Sequence, residues 1–122
     1  MKRDIDFIRE ALLDVEVNAK PLDAYCISYA MTQKGYDADY TCAQISLMDE
    51  AGFFISAKRT GIGWNIIGLS NRGYDFLETI RNDTVWQQTK DTLEKNKLPK
   101  TLDWIAQIAG TFFGKFLKNL KG

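Results

Sequence analysis

The side chains that could carry acid–base chemistry in this chain are its carboxylates, because the sequence contains no histidine. The lack of histidine excludes His-dependent catalytic triads, imidazole metal ligands and imidazole proton shuttles. The sixteen Asp and Glu residues lie at predicted helix ends or on predicted solvent-facing helix surfaces, and no pair is set apart for general acid–base catalysis. We therefore predict that the protein is not an enzyme, with no catalytic residue and no cofactor.

The remaining candidates for chemistry are the two cysteines and a glycine-containing loop. Cys26 and Cys42 are too few and too widely spaced for a disulfide framework or a zinc site. We predict two reduced, largely buried thiols and no metal site. Gly61-Ile62-Gly63 precedes a strand-like run, whereas a phosphate-binding loop precedes a helix. We interpret it as a hairpin turn.

The charges of the chain balance, with sixteen Lys and Arg against sixteen Asp and Glu and a formal net charge of zero. A chain-wide basic field is absent, so any nucleic-acid contact needs a local patch. An ordinary solvated surface explains the basic residues equally well. The residues that could form such a patch are Lys2, Arg3, Lys58, Arg59 and Arg72.

The first element that could position these groups is an amphipathic helix predicted over residues 4–17. Asp4 is interpreted as an acidic first-turn partner of the positive helix end. The apolar stripe of this helix consists of Ile5, Ile8, Ala11, Leu12 and Val15. Residues 18–36 open with turn residues, and the β-type composition of Tyr25–Tyr29 predicts a short strand, with a degenerate helix as the alternative.

The helix predicted over residues 38–51 carries an acidic outer face. Asp37 is its predicted N-cap and Gly52 ends it. If Ile45 and Met48 face inward, the opposite row is acidic, and the helix contains no Lys or Arg. Such a surface repels a phosphate backbone, so we predict protein contacts for it. The row comprises Asp39, Ala43, Ser46 and Glu50, flanked by Gln44 and Asp49.

Strand-like residues follow this acidic helix directly. The runs Phe53–Lys58 and Trp64–Leu69 are joined by a loop at 59–63, which predicts a β-hairpin. Ser70 is the predicted cap of a third helix. That helix carries Tyr74, Leu77 and Ile80. A helix followed at once by a hairpin and another helix is the layout of a winged-helix domain.

A fourth helix is predicted from residue 83 onward, and Asp83 is its predicted cap. Trp86, Thr89 and Leu93 lie on one side of it, and Leu98-Pro99 ends it. We predict that Trp86 is a buried structural anchor. Gly52 and Asp83 are predicted to be structural as well.

The C-terminal segment predicts a long amphipathic helix over about residues 101–120. Its apolar half contains Phe112, Phe113, Phe116 and Leu120, and lysines occupy the other half. Such a face is costly to leave in water, and three surfaces could cover it: the chain's own core, a second copy or partner protein, or a membrane interface. We predict the core or a protein rather than a membrane, because the lysines near the C-terminal end complement the helix dipole and need no anionic lipid to explain them. No apolar run approaches the roughly 20 residues of a membrane span.

Several segments together resemble one family. They are MKRDIDFIREALL, the LMDEAGFF corner, GLSNRGYDFLETIRNDTVWQQTK and the C-terminal amphipathic helix. With these segments the chain resembles the DUF2513 family of small bacterial and phage proteins, and RNDTVWQQTK is the most specific run. The resemblance implies a winged-helix architecture and a phage or mobile-element setting. It supplies no activity, ligand or catalytic residue.

The predicted fold class is α+β, mainly α. A winged-helix domain with a β-hairpin wing is predicted over residues 1–82, and two extra helices at 83–122 are predicted to pack on it as a single unit.

Charged residues in the opening segment interrupt the apolar run that a signal peptide needs, so we predict a cytoplasmic protein. The predicted function is a non-catalytic regulator or adaptor that binds a protein partner or itself. The alternative is a DNA-binding regulator that uses the wing and the first helix.

Overall fold

The computed structural model describes residues 3–20, 22–61 and 63–121. In that part of the chain six helices and five short strands make a mainly helical α+β fold, as predicted. They are α1 (Ile5–Asn18), β1 (Tyr25–Cys26), α2 (Ile27–Gln33), α3 (Ala38–Glu50), β2 (Phe54–Ile55), β3 (Lys58–Thr60), β4 (Gly63–Ile66), β5 (Gly68–Leu69), α4 (Asn71–Ile80), α5 (Asp83–Lys95) and α6 (Leu102–Lys121). Residues 1–74 and 75–122 form two compact units, and the predicted boundary after residue 82 stays a prediction.

Helix α1 begins where the sequence predicts, but Asp4 has a different role. Its carboxylate Oδ1 accepts a hydrogen bond from the Phe7 backbone N–H at 3.0 Å, so Asp4 is the N-cap and not a first-turn residue. The Asp4 backbone N–H donates to Oε1 of Gln44 at 2.9 Å. Gln44 is fully buried, and its predicted place beside the exposed row of the 38–51 helix is therefore wrong. The predicted apolar stripe of α1 is buried.

The predicted strand Tyr25–Tyr29 is a strand only at its first two residues. β1 pairs antiparallel with β4, with Tyr25 opposite Ile66. Ile27 begins α2, and Ile27 and Met31 are buried one turn apart. The helical alternative is therefore correct from residue 27 onward. The β-type composition does not determine the conformation of these residues, because α2 packs against α1, α3 and β4.

Helix α3 follows the prediction closely. The Asp37 side chain accepts a hydrogen bond from the Tyr40 backbone N–H at 3.1 Å and caps the helix. Ile45 and Met48 are buried, which confirms the prediction that they face inward. Gly52 has a positive φ of 82° just after the helix, a conformation that glycine adopts without strain. The three helices α1, α2 and α3 contact one another pairwise.

The predicted hairpin is confirmed, but it consists of two short ladders. β2 pairs with β5 at the base, and β3 pairs with β4 at the tip. Ser56, with a positive φ of 52°, lies between the two ladders. Thr60 stands opposite Gly63, so the turn is shorter than the predicted loop at 59–63, and Ile62 lies outside the described residues. β1 adds a strand to the tip ladder, which gives the order β1-β4-β3.

The tip ladder is fixed to the helices at Gly63. This residue has a φ of 140°, and a Cβ built on it would lie 2.0 Å from Oγ of Ser28. The Ser28 hydroxyl oxygen also accepts a hydrogen bond from the Trp64 backbone N–H at 2.9 Å. The hairpin and the start of α2 are therefore in direct contact, with no room for a side chain between them.

Helix α4 begins at the predicted cap. The Ser70 hydroxyl oxygen accepts a hydrogen bond from the Gly73 backbone N–H at 3.1 Å. Leu77 and Ile80 are buried, whereas Tyr74 is exposed.

The second unit contains a helical hairpin in which α5 and α6 pack against each other. Oδ1 of Asn82 accepts a hydrogen bond from the Val85 backbone N–H at 3.0 Å, so Asn82 caps α5 and the prediction of Asp83 as the cap is wrong. Asp83 instead lies in the first turn, where a carboxylate stabilises the positive helix end. Trp86 is buried as predicted. The predicted C-terminal helix is confirmed as α6.

Candidate interaction surfaces

The outward face of α3 is the acidic surface that the sequence predicts. Asp39 and Glu50 are exposed near the two ends of the helix, and Ala43 and Ser46 lie between them at intermediate exposure. Eleven positions separate the two carboxylates, which at 1.5 Å per residue is about 16 Å along the helix axis. The structure thus presents two acids with small side chains between them. We call Asp39, Ala43, Ser46 and Glu50 the acidic face of α3.

The tip of the hairpin carries two predicted nucleic-acid contacts, Lys58 and Arg59, and both are exposed. In the register of the ladder Lys58 lies opposite Asn65, and Arg59 lies opposite Trp64. Because successive side chains of a strand point to opposite faces, the two cations lie on opposite faces of the hairpin. Lys58 borders a shallow cavity on the sheet with Asn65 and Ile66. The two residues therefore do not form one continuous basic patch.

The other predicted nucleic-acid contacts lie on different elements. Arg72 is exposed in the first turn of α4, and its Cδ lies 3.7 Å from the position of a Cβ built on Gly52. A cation in this place, at the C-terminal end of α3, is stabilised by the helix dipole. Arg3 is half-buried just before the cap of α1. Lys2 lies outside the described residues.

Three tyrosine–carboxylate hydrogen bonds along α1 were not predicted. The Tyr25 hydroxyl donates to Asp14 at 2.6 Å and the Tyr36 hydroxyl donates to Glu10 at 2.7 Å. The Tyr40 hydroxyl donates to Asp4. Glu10 and Asp14 were interpreted as solvated charges. The sequence contains no local signal for these pairs, because the partners are brought together only when α1 packs on the segments that follow it.

The tyrosine–carboxylate bonds predict a loss of stability at alkaline pH. The hydrogen bond to Asp4 raises the pKa of Tyr40 from 10.0 to about 12, the hydrogen bond to Glu10 raises the pKa of Tyr36, and burial raises the pKa of Tyr25. The folded state therefore retains these protons to higher pH than the unfolded state. We expect the contribution of Tyr40 to be complete below pH 10.0, the ordinary phenol pKa, and to be lost as pH rises toward about 12.

Denaturant unfolding of the wild type and of Tyr40→Phe between pH 8 and pH 12 tests this expectation. The wild type should lose stability above about pH 10. Tyr40→Phe lacks one phenol and should lose less stability than the wild type over the same pH interval. Equal pH slopes for the two proteins would show that the Tyr40 proton does not contribute to stability.

The predicted contact residues of the C-terminal helix differ in exposure along α6. Ile105 and Ala109 are fully buried. Phe112, Phe113 and Phe116 have intermediate exposure, and Leu120 is exposed. We call Phe112, Phe113, Phe116, Leu117 and Leu120 the apolar end of α6.

Both cysteines have free thiols of intermediate exposure. In residues 3–20, 22–61 and 63–121 no three Cys, Asp or Glu side chains are grouped as metal ligands. Within those same ranges, no helix combines the length and the apolar character that crossing a bilayer requires.

Comparison with known proteins identifies the family. The sequence model described as "Hypothetical protein (DUF2513)" matches residues 2–99. The chain belongs to the DUF2513 family. A protein of Haemophilus influenzae, described as uncharacterized, is 30% identical over 120 residues, which cover 96% of this chain and 99% of the relative. No solved structure matches the chain.

The DUF2513 match contains the acidic face of α3 and the hairpin, and it ends just before α6 begins at Leu102. The similarity to the Haemophilus protein extends further, because it covers nearly the whole chain. The acidic face therefore lies within the part that defines DUF2513. The apolar end of α6 lies beyond it.

Proposed function

We propose that this protein is a non-catalytic winged-helix adaptor that acts through protein–protein contacts. Its contact surfaces are the acidic face of α3 and the apolar end of α6. The observation that carries the proposal is the chemistry of α3, the helix that precedes the hairpin. In a DNA-binding winged helix the corresponding helix lies in the major groove. Here its outward side presents Asp39 and Glu50.

The order of elements supports the winged-helix assignment. Three helices that contact one another pairwise are followed by a hairpin, and β1, between the first two helices, pairs with the second hairpin strand. Under this assignment the hairpin is the wing, with Lys58 and Arg59 on its edge strand. The winged-helix fold itself serves many functions, so the chemistry of the surface has to decide between them.

The packing of α3 fixes which of its sides is available to a partner. Thr41, Gln44, Ile45 and Met48 are buried, and the Gln44 amide oxygen accepts the hydrogen bond from the Asp4 backbone N–H. A rotation of α3 that hid its carboxylates would break this bond and expose Ile45 and Met48. The acidic side must therefore be the one that faces solvent. It suits a basic protein surface, and it repels a phosphate backbone.

A second candidate function, DNA binding through the wing, is favoured by the exposure of Lys58 and Arg59 on β3. Two cations on opposite faces of one hairpin can approach two phosphate strands when the hairpin lies along a groove. Binding of this kind is weak, independent of sequence and strongly dependent on salt concentration. It does not use α3.

A pull-down from the native host, with and without nuclease, separates the two functions. The baits are the wild type, Asp39→Asn/Glu50→Gln on the acidic face, and Lys58→Ala/Arg59→Ala on the wing. We expect nuclease-resistant capture of a protein by the wild type and by the wing variant. We expect the α3 variant to lose it, because the carboxylates make the contact.

Duplex DNA binding, measured by fluorescence anisotropy at several salt concentrations, completes the test. If DNA binding is present, the wing variant should lower its salt dependence and the α3 variant should leave it unchanged or strengthen it. Loss of DNA binding on neutralising the α3 carboxylates would show that α3 reads DNA, and the adaptor proposal would be abandoned. Capture that disappears with nuclease treatment would also contradict it.

A further inference from the structure

A cavity of about 170 Å³ lies between α2 and α3. The residues that line it are Ser28, Tyr29 and Thr32 of α2 and Ala38 and Cys42 of α3. We call it the α2–α3 cavity. Ser28 is buried and Tyr29 is 63% exposed, so the cavity opens to solvent beside the phenol ring. At about 30 Å³ for a group of the size of a water molecule, it has room for roughly five such groups, which is the end of one long side chain.

On its α3 side, the α2–α3 cavity adjoins the acidic face of α3. Residues three and four positions apart are neighbours on a helix surface, so Cys42 lies beside Asp39 and Ser46. Asp39 is exposed, and so is Asp37, the N-cap of the helix. The N-terminal end of the helix dipole carries a positive charge of only about half a unit, which these two carboxylates outweigh. The cavity therefore lies in negatively charged surroundings.

The two helices supply no positive charge that could compensate these acids. Neither α2 nor α3 contains Lys or Arg. Lys34 follows α2, but its Nζ lies 3.9 Å from Oδ1 of Asp14 on α1. Arg72 lies beside Gly52, which is about 15 Å from Cys42 along the axis of α3. A ligand for this cavity should therefore bring a cation.

The lining of the cavity favours a guanidinium group among the cations. The Thr32 hydroxyl donates its proton to the Tyr29 backbone oxygen at 2.8 Å, so it offers a ligand only its lone pairs, which accept hydrogen bonds. The exposed Tyr29 ring offers a face on which a planar guanidinium can stack. A guanidinium has donors and no acceptor, and it can donate two parallel hydrogen bonds to a carboxylate such as Asp39. A lysine ammonium lacks this planar group.

We propose that the α2–α3 cavity binds an arginine side chain from a basic segment of a partner protein. Its guanidinium lies against Tyr29 and Thr32 and beside the Asp39 carboxylate. This inference rests on the proposed function, in which the acidic face of α3 contacts a protein, and it names the side chain that anchors that protein. Other cations of the same segment can reach Glu50, about 16 Å from Asp39 along the helix axis.

Two amidated peptides of equal length test the inference on the intact protein. One carries arginines spaced among alanines, and the other carries lysines at the same positions. Each peptide is fluorescently labelled, and its Kd is measured by fluorescence anisotropy at low salt. We expect the arginine peptide to bind roughly fivefold more tightly than the lysine peptide, because the guanidinium stacks better on the phenol ring.

Variants of the lining show whether the arginine peptide uses the cavity. Tyr29→Ala removes the exposed ring and should weaken binding of the arginine peptide by roughly fivefold. Cys42→Leu fills the cavity and should weaken binding at least as much. The matched control is Tyr74→Ala, which removes an exposed tyrosine from α4 and should leave the Kd unchanged. Circular dichroism confirms that each variant is folded.

The Cys42 thiol gives a second readout at the cavity itself. This thiol is free and of intermediate exposure, so iodoacetamide can alkylate it, and mass spectrometry of the digested protein gives the rate. A saturating concentration of the arginine peptide should slow alkylation of Cys42 severalfold. Cys26 is also a free thiol but does not line the cavity, and its rate should change much less.

Several outcomes would overturn the inference. They are no binding of the arginine peptide, equal Kd values for the arginine and lysine peptides, and a Kd that neither Tyr29→Ala nor Cys42→Leu changes. Alkylation of Cys42 at the same rate with and without the arginine peptide would also overturn it. If Asp39→Asn/Glu50→Gln still loses nuclease-resistant capture in that case, the adaptor function stands and only the arginine site is wrong. Capture that disappears with nuclease, while the peptide results hold, would contradict the adaptor function alone.

Discussion

Replacing Trp86 with alanine should lower the free energy of unfolding by roughly 3–5 kcal/mol, the range for truncating a buried aromatic side chain. Trp86 is 5% exposed on α5, and Val85 and Leu93 of the same helix are buried with it. Truncation removes the contacts of the indole and leaves a cavity that its neighbours fill only in part. Denaturant unfolding followed by circular dichroism measures the loss.

The matched control for this substitution is Trp104→Ala in α6. Trp104 is 40% exposed, so the same truncation removes less buried surface and should cost less than Trp86→Ala. Equal losses for the two variants would show that the fractional exposure does not describe their packing. A change of only a degree or two in the melting temperature of Trp86→Ala would remove Trp86 from the core.

A substitution of comparable effect is expected at Gly63. A Cβ at this position would lie 2.0 Å from the Ser28 hydroxyl oxygen, and the φ of 140° is strained for any L side chain. Overpacking and backbone strain each cost about 1–3 kcal/mol, so Gly63→Ala should destabilise the protein by roughly 2–6 kcal/mol. Thermal unfolding gives the loss, and hydrogen exchange of the Trp64 amide reports whether its bond to Ser28 is broken.

Two variants separate crowding from an unspecific effect of alanine. A Cβ built on Gly61, at the tip of the same hairpin, meets no atom within 4 Å, so Gly61→Ala should change stability little. Ser28→Gly removes the atoms that the new methyl group meets, so Gly63→Ala should cost less in the Ser28→Gly background than in the wild type. An equal cost in the two backgrounds would indicate that backbone strain alone limits this position.

The elements that the sequence predicts well are those specified by neighbouring residues. For α1 and α3, an apolar periodicity and a capping aspartate lie within one or two turns of each other, and both helices form at the predicted places. The acidic face of α3 follows from the same periodicity, because once Ile45 and Met48 face inward the opposite row is fixed. The hairpin has an equally local signal in its glycines.

The features that the sequence does not predict depend on residues far apart in the chain. Helix α2 has weak periodicity of its own and is stabilised by packing against α1, α3 and β4. Gln44 is polar, but it is buried, and its amide oxygen accepts a hydrogen bond from the backbone N–H of Asp4, the cap residue of a distant helix. At Asn82-Asp83 both residues can cap a helix, and the sequence alone does not show which of them is the N-cap.

For the candidate site, the helical wheel predicts that the carboxylates of α3 are exposed. The placement of Lys58 and Arg59 on opposite faces of the hairpin cannot be predicted in this way, because it depends on the register in which β3 pairs with β4.

The side-chain bonds along α1 join pairs of residues that are nested along the chain. Tyr25 meets Asp14 across 11 positions, Tyr36 meets Glu10 across 26, and Tyr40 meets Asp4 across 36. Each of these loops lies inside the next, so every inner bond shortens the flexible chain that the next bond must close. The entropy of closing a loop grows only slowly with its length, by about 0.6 kcal/mol per doubling. These three bonds can therefore form by sequential zipping outward from the segment between α1 and β1, and each outer bond then closes a shorter length of flexible chain than its full sequence separation.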